Sequence, residues 1–194
     1  MRHRYWHTAI GMKVAAFSYC KPFIHPAMNE LHIINGLVNE FQAEIPATRK
    51  CIERIPEKLY TWKPHETSMT MGYLTLLVAE IPLWIAVMIE EGVIDFKTFR
   101  HMKADTTQEM VAQFDQHISR AGAALKTLKE EQLSKPFVLR NGDKVMIDSP
   151  LLENLGSTLN HWVHHRGQLT VYMRLNGIAV PSIYGPSADE NPYT

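Results

Sequence analysis

The chain has 194 residues, with 20 basic and 20 acidic side chains, a formal charge of zero and 45% hydrophobic residues. That is one domain's length of chain with enough apolar material to bury a core, and a balanced charge supplies no broad field for holding phosphates, which argues against a nucleic-acid partner. Two cysteines, Cys20 and Cys51, can build neither a disulfide framework nor a cysteine zinc cage, so a reducing, cytoplasmic setting is expected.

Residues 1–27 lack clear periodicity and end near Pro26. They are expected to form a loose or disordered N-terminal arm, or an extended start. Lys13 interrupts their apolar stretch and no convincing Ala-x-Ala site follows, which speaks against a signal peptide. Residues 28–194 are expected to form the helical domain. The first helix should run from about Asn29 to Ile55, on Ile34, Leu37, Val38, Phe41, Ile45 and Ile52 at three and four spacings, with Pro46 as a kink. A second should run from about Thr70 to Glu91, capped by Ser68 or Thr70 and closed by Gly92.

The segment Met71 to Ile89 within that helix is nearly all apolar and long enough to span a bilayer. Glu80 and Pro82 stand in its centre, and a carboxylate at mid-bilayer would cost about 2.5–3.5 kcal/mol. The segment therefore reads as a helix buried in protein, with no membrane as partner.

A third, amphipathic helix is expected from about Thr107 to Glu131, with Met110, Phe114, Ile118, Leu125 and Leu128 on one side. Apolar residues from Phe137 to Ile147 bracket Asn141-Gly142, which predicts a short hairpin. The fourth helix should start at Asp148-Ser149-Pro150, a cap followed by proline, and stop at Asn176-Gly177. The tail from Ile178 carries Pro181, Pro186 and Pro192 and should be irregular. The expected fold is all-α, an antiparallel four-helix bundle with a minor β-hairpin.

The chemistry concentrates in the fourth helix, in Asn160-His-Trp-Val-His-His-Arg-Gly-Gln168. His161 and His165 are one turn apart, so their rings leave the helix within about 40° of each other and can chelate one divalent ion. Asn154, Thr158, Gln168 and Tyr172 fall on the same side, forming a polar stripe flanked by Leu151, Leu155, Leu159, Trp162, Leu169 and Met173. His164 points away. A catalytic zinc site usually has three protein ligands and an open position, and the pattern does not choose a third among His32, His65, His101, His117 and the three histidines of the N-terminal arm. Glu80, the one carboxylate in the apolar core of the second helix, could serve as ligand, as general base or, by default, as ion-pair partner to Arg166.

These residues resemble the DinB/YfiT-like family of metal-dependent bundle proteins, from about Asn29 to Glu190. The likeness rests on Met71-Gly72-Tyr73-Leu74, Ala79-Glu80-Ile81-Pro82-Leu83-Trp84, His161-Trp162-Val163-His164-His165-Arg166-Gly167-Gln168-Leu169, Tyr172-Met173-Arg174-Leu175-Asn176-Gly177 and the closing segment 180–190. The resemblance implies a four-helix bundle, often a homodimer, with a divalent metal such as zinc or nickel on three histidines. Two of these map onto His161 and His165. The third maps onto Leu77, which cannot ligate.

By the same resemblance, activity would be that of a metal-dependent hydrolase or a transferase of low-molecular-weight thiols. Glu80 is then the candidate catalytic residue, and Leu77, Trp84, Gln168 and Tyr172 the expected lining of a substrate cleft. The alternative is a non-catalytic protein that binds a small molecule or a partner.

Overall fold

A computed structural model describes residues 30–193, and the expected N-terminal arm lies outside the described residues. Four long helices form the body: α1 (Glu30–Glu53), α2 (Met71–Glu91), α3 (Thr107–Thr127) and α5 (Leu151–Leu175), with a short α4 (Glu130–Leu133) after α3. α2 packs against α3 and α5, and α1 closes the ring from the other side on the same two helices. α2 and α5 run antiparallel, since Thr158 reaches Met88 at one end and Tyr172 reaches Met69 at the other. The start of α3 lies beside the start of α2, because Tyr60 accepts the Gly72 amide on its carbonyl and meets Thr107 through its hydroxyl. The connection between α2 and α3 therefore runs back along α2, a crossover of the kind bundles tolerate.

Local signals explain most helix ends. Thr70 accepts the Tyr73 amide at the start of α2, and Gly92, at φ 69°, ends it in the left-handed conformation open to glycine. Thr106 and Glu109 form a reciprocal capping box on α3. Gly72 sits where chains meet: a Cβ there would lie 2.8 Å from Tyr60 Cβ. Met71–Glu91 is the one described helix long and apolar enough to cross a membrane, yet most of it is buried in the bundle. Its core contacts include Leu74, Val78, Ile81 and Ile85, packed with Phe41, Phe114 and Trp162.

Four sequence expectations change. The third helix stops at Thr127 rather than Glu131, with Leu128 extended at ψ 129°. Leu128 and Leu133 are both buried, whereas an unbroken helix would place them about 140° apart around its axis. The hairpin is part of a three-stranded sheet, in which β1 (Val93–Asp95) lies parallel to β2 (Pro136–Asn141), and β2 is antiparallel to β3 (Lys144–Pro150). The turn is Gly142-Asp143, between paired Asn141 and Lys144.

The fourth helix does not use Asp148 or Ser149 as its cap. β3 runs through Pro150, and the first helical amide, of Leu151, is satisfied by the Lys135 carbonyl at 2.8 Å. Finally, Glu80 is not the partner of Arg166, as the next subsection describes. The C-terminal tail is irregular as expected, but it is pinned: Glu190 pairs with Arg54 and Lys50, and Asp189 pairs with Arg174.

Candidate functional site

The orientation of α5 is set by its two buried anchors, Trp162 and Arg166, four residues apart. Trp162 Nε1 donates to the Val78 carbonyl at 2.9 Å, fixing α5 against α2. Arg166 is 1% exposed. It ion-pairs with Glu44 of α1 and donates to Thr48 Oγ1 at 3.1 Å and to the Tyr184 hydroxyl at 2.9 Å. With those two side chains turned inward, the residues one position earlier, His161 and His165, stand at the seam between α5 and the partly buried side of α2.

The two imidazoles meet. Nε2 of His161 lies 2.6 Å from Nε2 of His165, and His165 Nδ1 lies 2.8 Å from Gln168 Oε1. With the Gln168 carbonyl as acceptor, His165 carries its proton on Nδ1, so its Nε2 accepts from His161 Nε2–H. His161 Nδ1 is then left as a free acceptor. Burial holds both histidines below the ordinary histidine pKa. The neighbouring His165 and His164 add to the effect at His161, and at His165 the Gln168 bond opposes it while His164 reinforces it. His164 is exposed, its ring centroid 5.1 Å from that of His165. Trp84 of α2 covers His161 with ring centroids 5.6 Å apart.

Behind Trp84 stands Glu80, 1% exposed. Its Oε1 accepts from Trp84 Nε1 at 2.9 Å and lies 2.8 Å from His101 Nδ1, and its Oε2 accepts the Met102 amide. Glu80 thus pins the returning connection to the middle of α2. This explains how a carboxylate survives in an apolar helix: its partners come from Trp84 one turn on and from a loop without periodicity, not from α5.

Leu77 and Trp84 border an open cleft of about 520 Å³, together with Tyr73, Glu80, Phe96 and His101. Gln168 is engaged with His165 rather than with that cleft. Tyr172 is spent on structure, its ring edge-on to Trp62 at 5.4 Å and its hydroxyl donating to the Met69 carbonyl. Of the other histidines, His117 contacts the Ala79 carbonyl and His65 pairs locally with Thr67. A second chamber, of about 290 Å³, lies on the other side of Trp84 under the sheet and includes His161. Its phenylalanine walls come from the α2–α3 connection and from β2, and the sequence reading had not assigned them.

The family model described as the DinB family matches residues 28–192. The chain belongs to the DinB family. It is similar to the uncharacterized protein YjoA of Bacillus subtilis (strain 168), 27% identical over 143 residues, 74% of this chain and 90% of that one. A shorter likeness, 56% over 32 residues, relates it to the uncharacterized protein YrdA of the same organism.

Among solved structures, the DinB-like YjoA protein of Bacillus subtilis superimposes with a TM-score of 0.62 at 26% identity, over 77% of this chain and 98% of that one. A DinB-like protein of Bacillus cereus ATCC 10987 shares the fold, with a TM-score of 0.59 at 21% identity, over 78% of this chain and 97% of that one.

Membership in the DinB family raises the question of a metal, and the donors present can be tested against one. Two nitrogens on a tetrahedral ion with bonds of about 2.0–2.1 Å would stand about 3.3 Å apart. The histidine nitrogens are at the shorter, hydrogen-bonding distance. Among the described residues, no group of three His, Cys, Asp or Glu side chains gathers as a ligand set. Among the described residues, His161 and His165 thus lie together without a third His, Cys, Asp or Glu gathered beside them.

Proposed function

We propose that this DinB-family protein is a small-molecule-binding bundle whose site centres on the His161–His165 pair, acting as a hydrogen-bonding, proton-relaying dyad. The carrying observation is the 2.6 Å contact between the two Nε2 atoms, with leucine at position 77, where the family resemblance calls for a third histidine. A ligand hydroxyl or thiol presented to His161 Nδ1 can give up its proton there while Nε2–H passes one to His165, whose Nδ1 stays held by Gln168. In this reading Glu80 orients Trp84 and the returning loop rather than touching substrate.

A second reading is favoured by the convergence of the two Nε2 atoms on one point. It makes the protein a metal-dependent hydrolase or low-molecular-weight-thiol transferase that draws its third ligand from elsewhere. Zinc titration of protein purified without a polyhistidine tag separates the two. The depleted site should bind zinc weakly. Leu77→His should tighten binding by at least the roughly 10 to 100-fold that loss of even an outer-shell partner costs, and His161→Ala or His165→Ala should abolish the gain. Tight one-to-one binding by the parent, lost in His161→Ala, would overturn the depleted-site reading and leave the metal-dependent one.

A further inference from the structure

The chamber of about 290 Å³ beside His161 has walls of two chemical kinds. One side is aromatic: Trp84 from α2, Phe96 and Phe99 from the α2–α3 connection, and Phe137 from β2. The other is a polar rail on α5, Asn154, Thr158 and His161, at spacings of four and three that place all three on one helical face.

The rail has unspent hydrogen-bonding capacity. The Asn154 amide nitrogen is used on Ser149 and the Pro150 carbonyl, which leaves its Oδ1 as an acceptor with no donor among the described residues. The Thr158 hydroxyl has only a sulfur for partner, Met88 Sδ at 3.6 Å, a weak acceptor that a ligand oxygen would outbid. The Nε2 of His161 is held by His165 and its Nδ1 is open. Three polar groups with hydrogen-bonding capacity to spare, on one wall of an otherwise apolar chamber, mark a place for a ligand's polar edge. No Asp, Glu, Lys or Arg lines the space, so a full charge there would lose its hydration without a counter-charge. Ligand sites commonly combine an apolar lining with a few convergent polar groups.

We propose that this chamber binds a neutral, planar aromatic molecule of about two fused rings, its rings against Trp84 and the three phenylalanines and a hydroxyl or similar edge on Asn154, Thr158 and His161. An engineered apolar cavity of about 150 Å³ already takes up benzene, so roughly twice that space matches two rings. The proposal deepens the reading of the histidine dyad as a small-molecule site and rests on it only for the role of His161.

The test uses 2-naphthol as probe, with naphthalene-2-sulfonate and decahydro-2-naphthol as its charged and non-planar counterparts, measured by titration calorimetry on the whole 194-residue chain. 2-Naphthol should bind one-to-one, at least about tenfold tighter than either counterpart, the size of one net hydrogen bond or stacking contact. Ile147→Trp, at the partly exposed rim on β3, should block it by tenfold or more without lowering the melting temperature. Thr158→Val should lower affinity for 2-naphthol while sparing naphthalene.

Equal binding of the sulfonate or of the saturated alcohol, or binding indifferent to Ile147→Trp, would overturn the chamber assignment while leaving the zinc test of the dyad untouched. If 2-naphthol binds parent and His161→Gln alike, the chamber stands and the dyad reading fails. Should Ile147→Trp lower the melting temperature, quenching of Trp84 by 2-naphthol decides in its place, read as the part of the fluorescence change that the parent shows and Trp84→Phe lacks, since Trp6, Trp62 and Trp162 are common to both. Quenching supports the chamber, and its absence at saturating probe overturns it.

Discussion

Replacing Glu44 by alanine removes the counter-charge of an arginine that has no route to water. Arg166 and Glu44 are 1% and 6% exposed, and the guanidinium would keep only the Glu44 carbonyl, Thr48 and the Tyr184 hydroxyl. Breaking one side of such a buried pair costs about 3–5 kcal/mol. For a chain of this size each kcal/mol is worth about 2–4 °C, so a fall of about 6–20 °C in Tm is expected.

Tyr184→Phe, which deletes a hydroxyl that donates to Glu44 and accepts from Arg166, should cost about 1–2 kcal/mol. The pair is not perfectly satisfied: Arg166 Nε has no acceptor among the described residues. Glu44→Leu with Arg166→Met should therefore recover most of the stability lost by Glu44→Ala, because it removes both desolvated charges together. Thermal and urea unfolding of the parent and these three variants gives the comparison. A Glu44→Ala penalty below about 1 kcal/mol would refute the argument that this charge is locked in without alternative partners.

Gly72→Ala should destabilise by about 1–3 kcal/mol, because the new methyl would press on Tyr60 at a point where the backbones are already hydrogen-bonded; Tm readings check it. Because the folded-state pKa of His161 and His165 lies below the unfolded value, the unfolded chain binds more protons as the medium acidifies. Stability should thus fall as pH drops below about 6.5 and level off beneath the folded values, and His161→Gln should flatten the slope measured by unfolding between pH 8 and 5.

Arg54, Lys50 and the Ser182 amide hold Glu190 at about 2; its anchoring of the tail should be complete above about pH 4.5, where a free glutamate is ionised, and fade toward pH 2. Glu190→Gln should accordingly speed proteolytic cleavage within 178–193 at neutral pH. Association as a homodimer through exposed apolar residues such as Tyr73, Val171 and Leu175 predicts a dimer in sedimentation at micromolar concentration, weakened by Tyr73→Lys.

What was legible in the sequence is what short stretches of chain decide. Gly92 and Asn176-Gly177 mark real helix ends because capping depends on a few neighbouring residues, and the meeting of His161 with His165 follows from one helical turn. The hairpin could be read from apolar runs around a turn, but its third strand could not. Val93–Asp95 is too short to carry a period, and its partner Val138 lies beyond α3.

That Glu80 pairs away from Arg166 was not legible, because two of its three partners, His101 and the Met102 amide, sit in a stretch with no repeating pattern. Arg166 was seen beside the histidines, yet its counter-ion on α1 is 122 positions away, and nothing local to either residue names the other. The aromatic chamber has the same character. Its walls come from α2, a loop, three strands and α5, so only the assembled fold brings them to one place.

The parallel pairing of β1 with β2 has a kinetic side. β1 follows α2 directly, but β2 is delivered only after α3 and α4 have been traversed, so the ladder closes a long loop whose entropy must be met before any strand contact rewards it. The helices α2 and α3, packed on each other with local contacts within each, offer the earlier nucleus. Val93, Ile94 and Val138 should then show low φ-values, with substitutions there mainly speeding unfolding, while changes at Phe114 or Val78 slow folding. Since β1 and β2 also roof the space beside His161, the binding chamber is the last part of the molecule to come into being, and a ligand held there would act chiefly by slowing its loss.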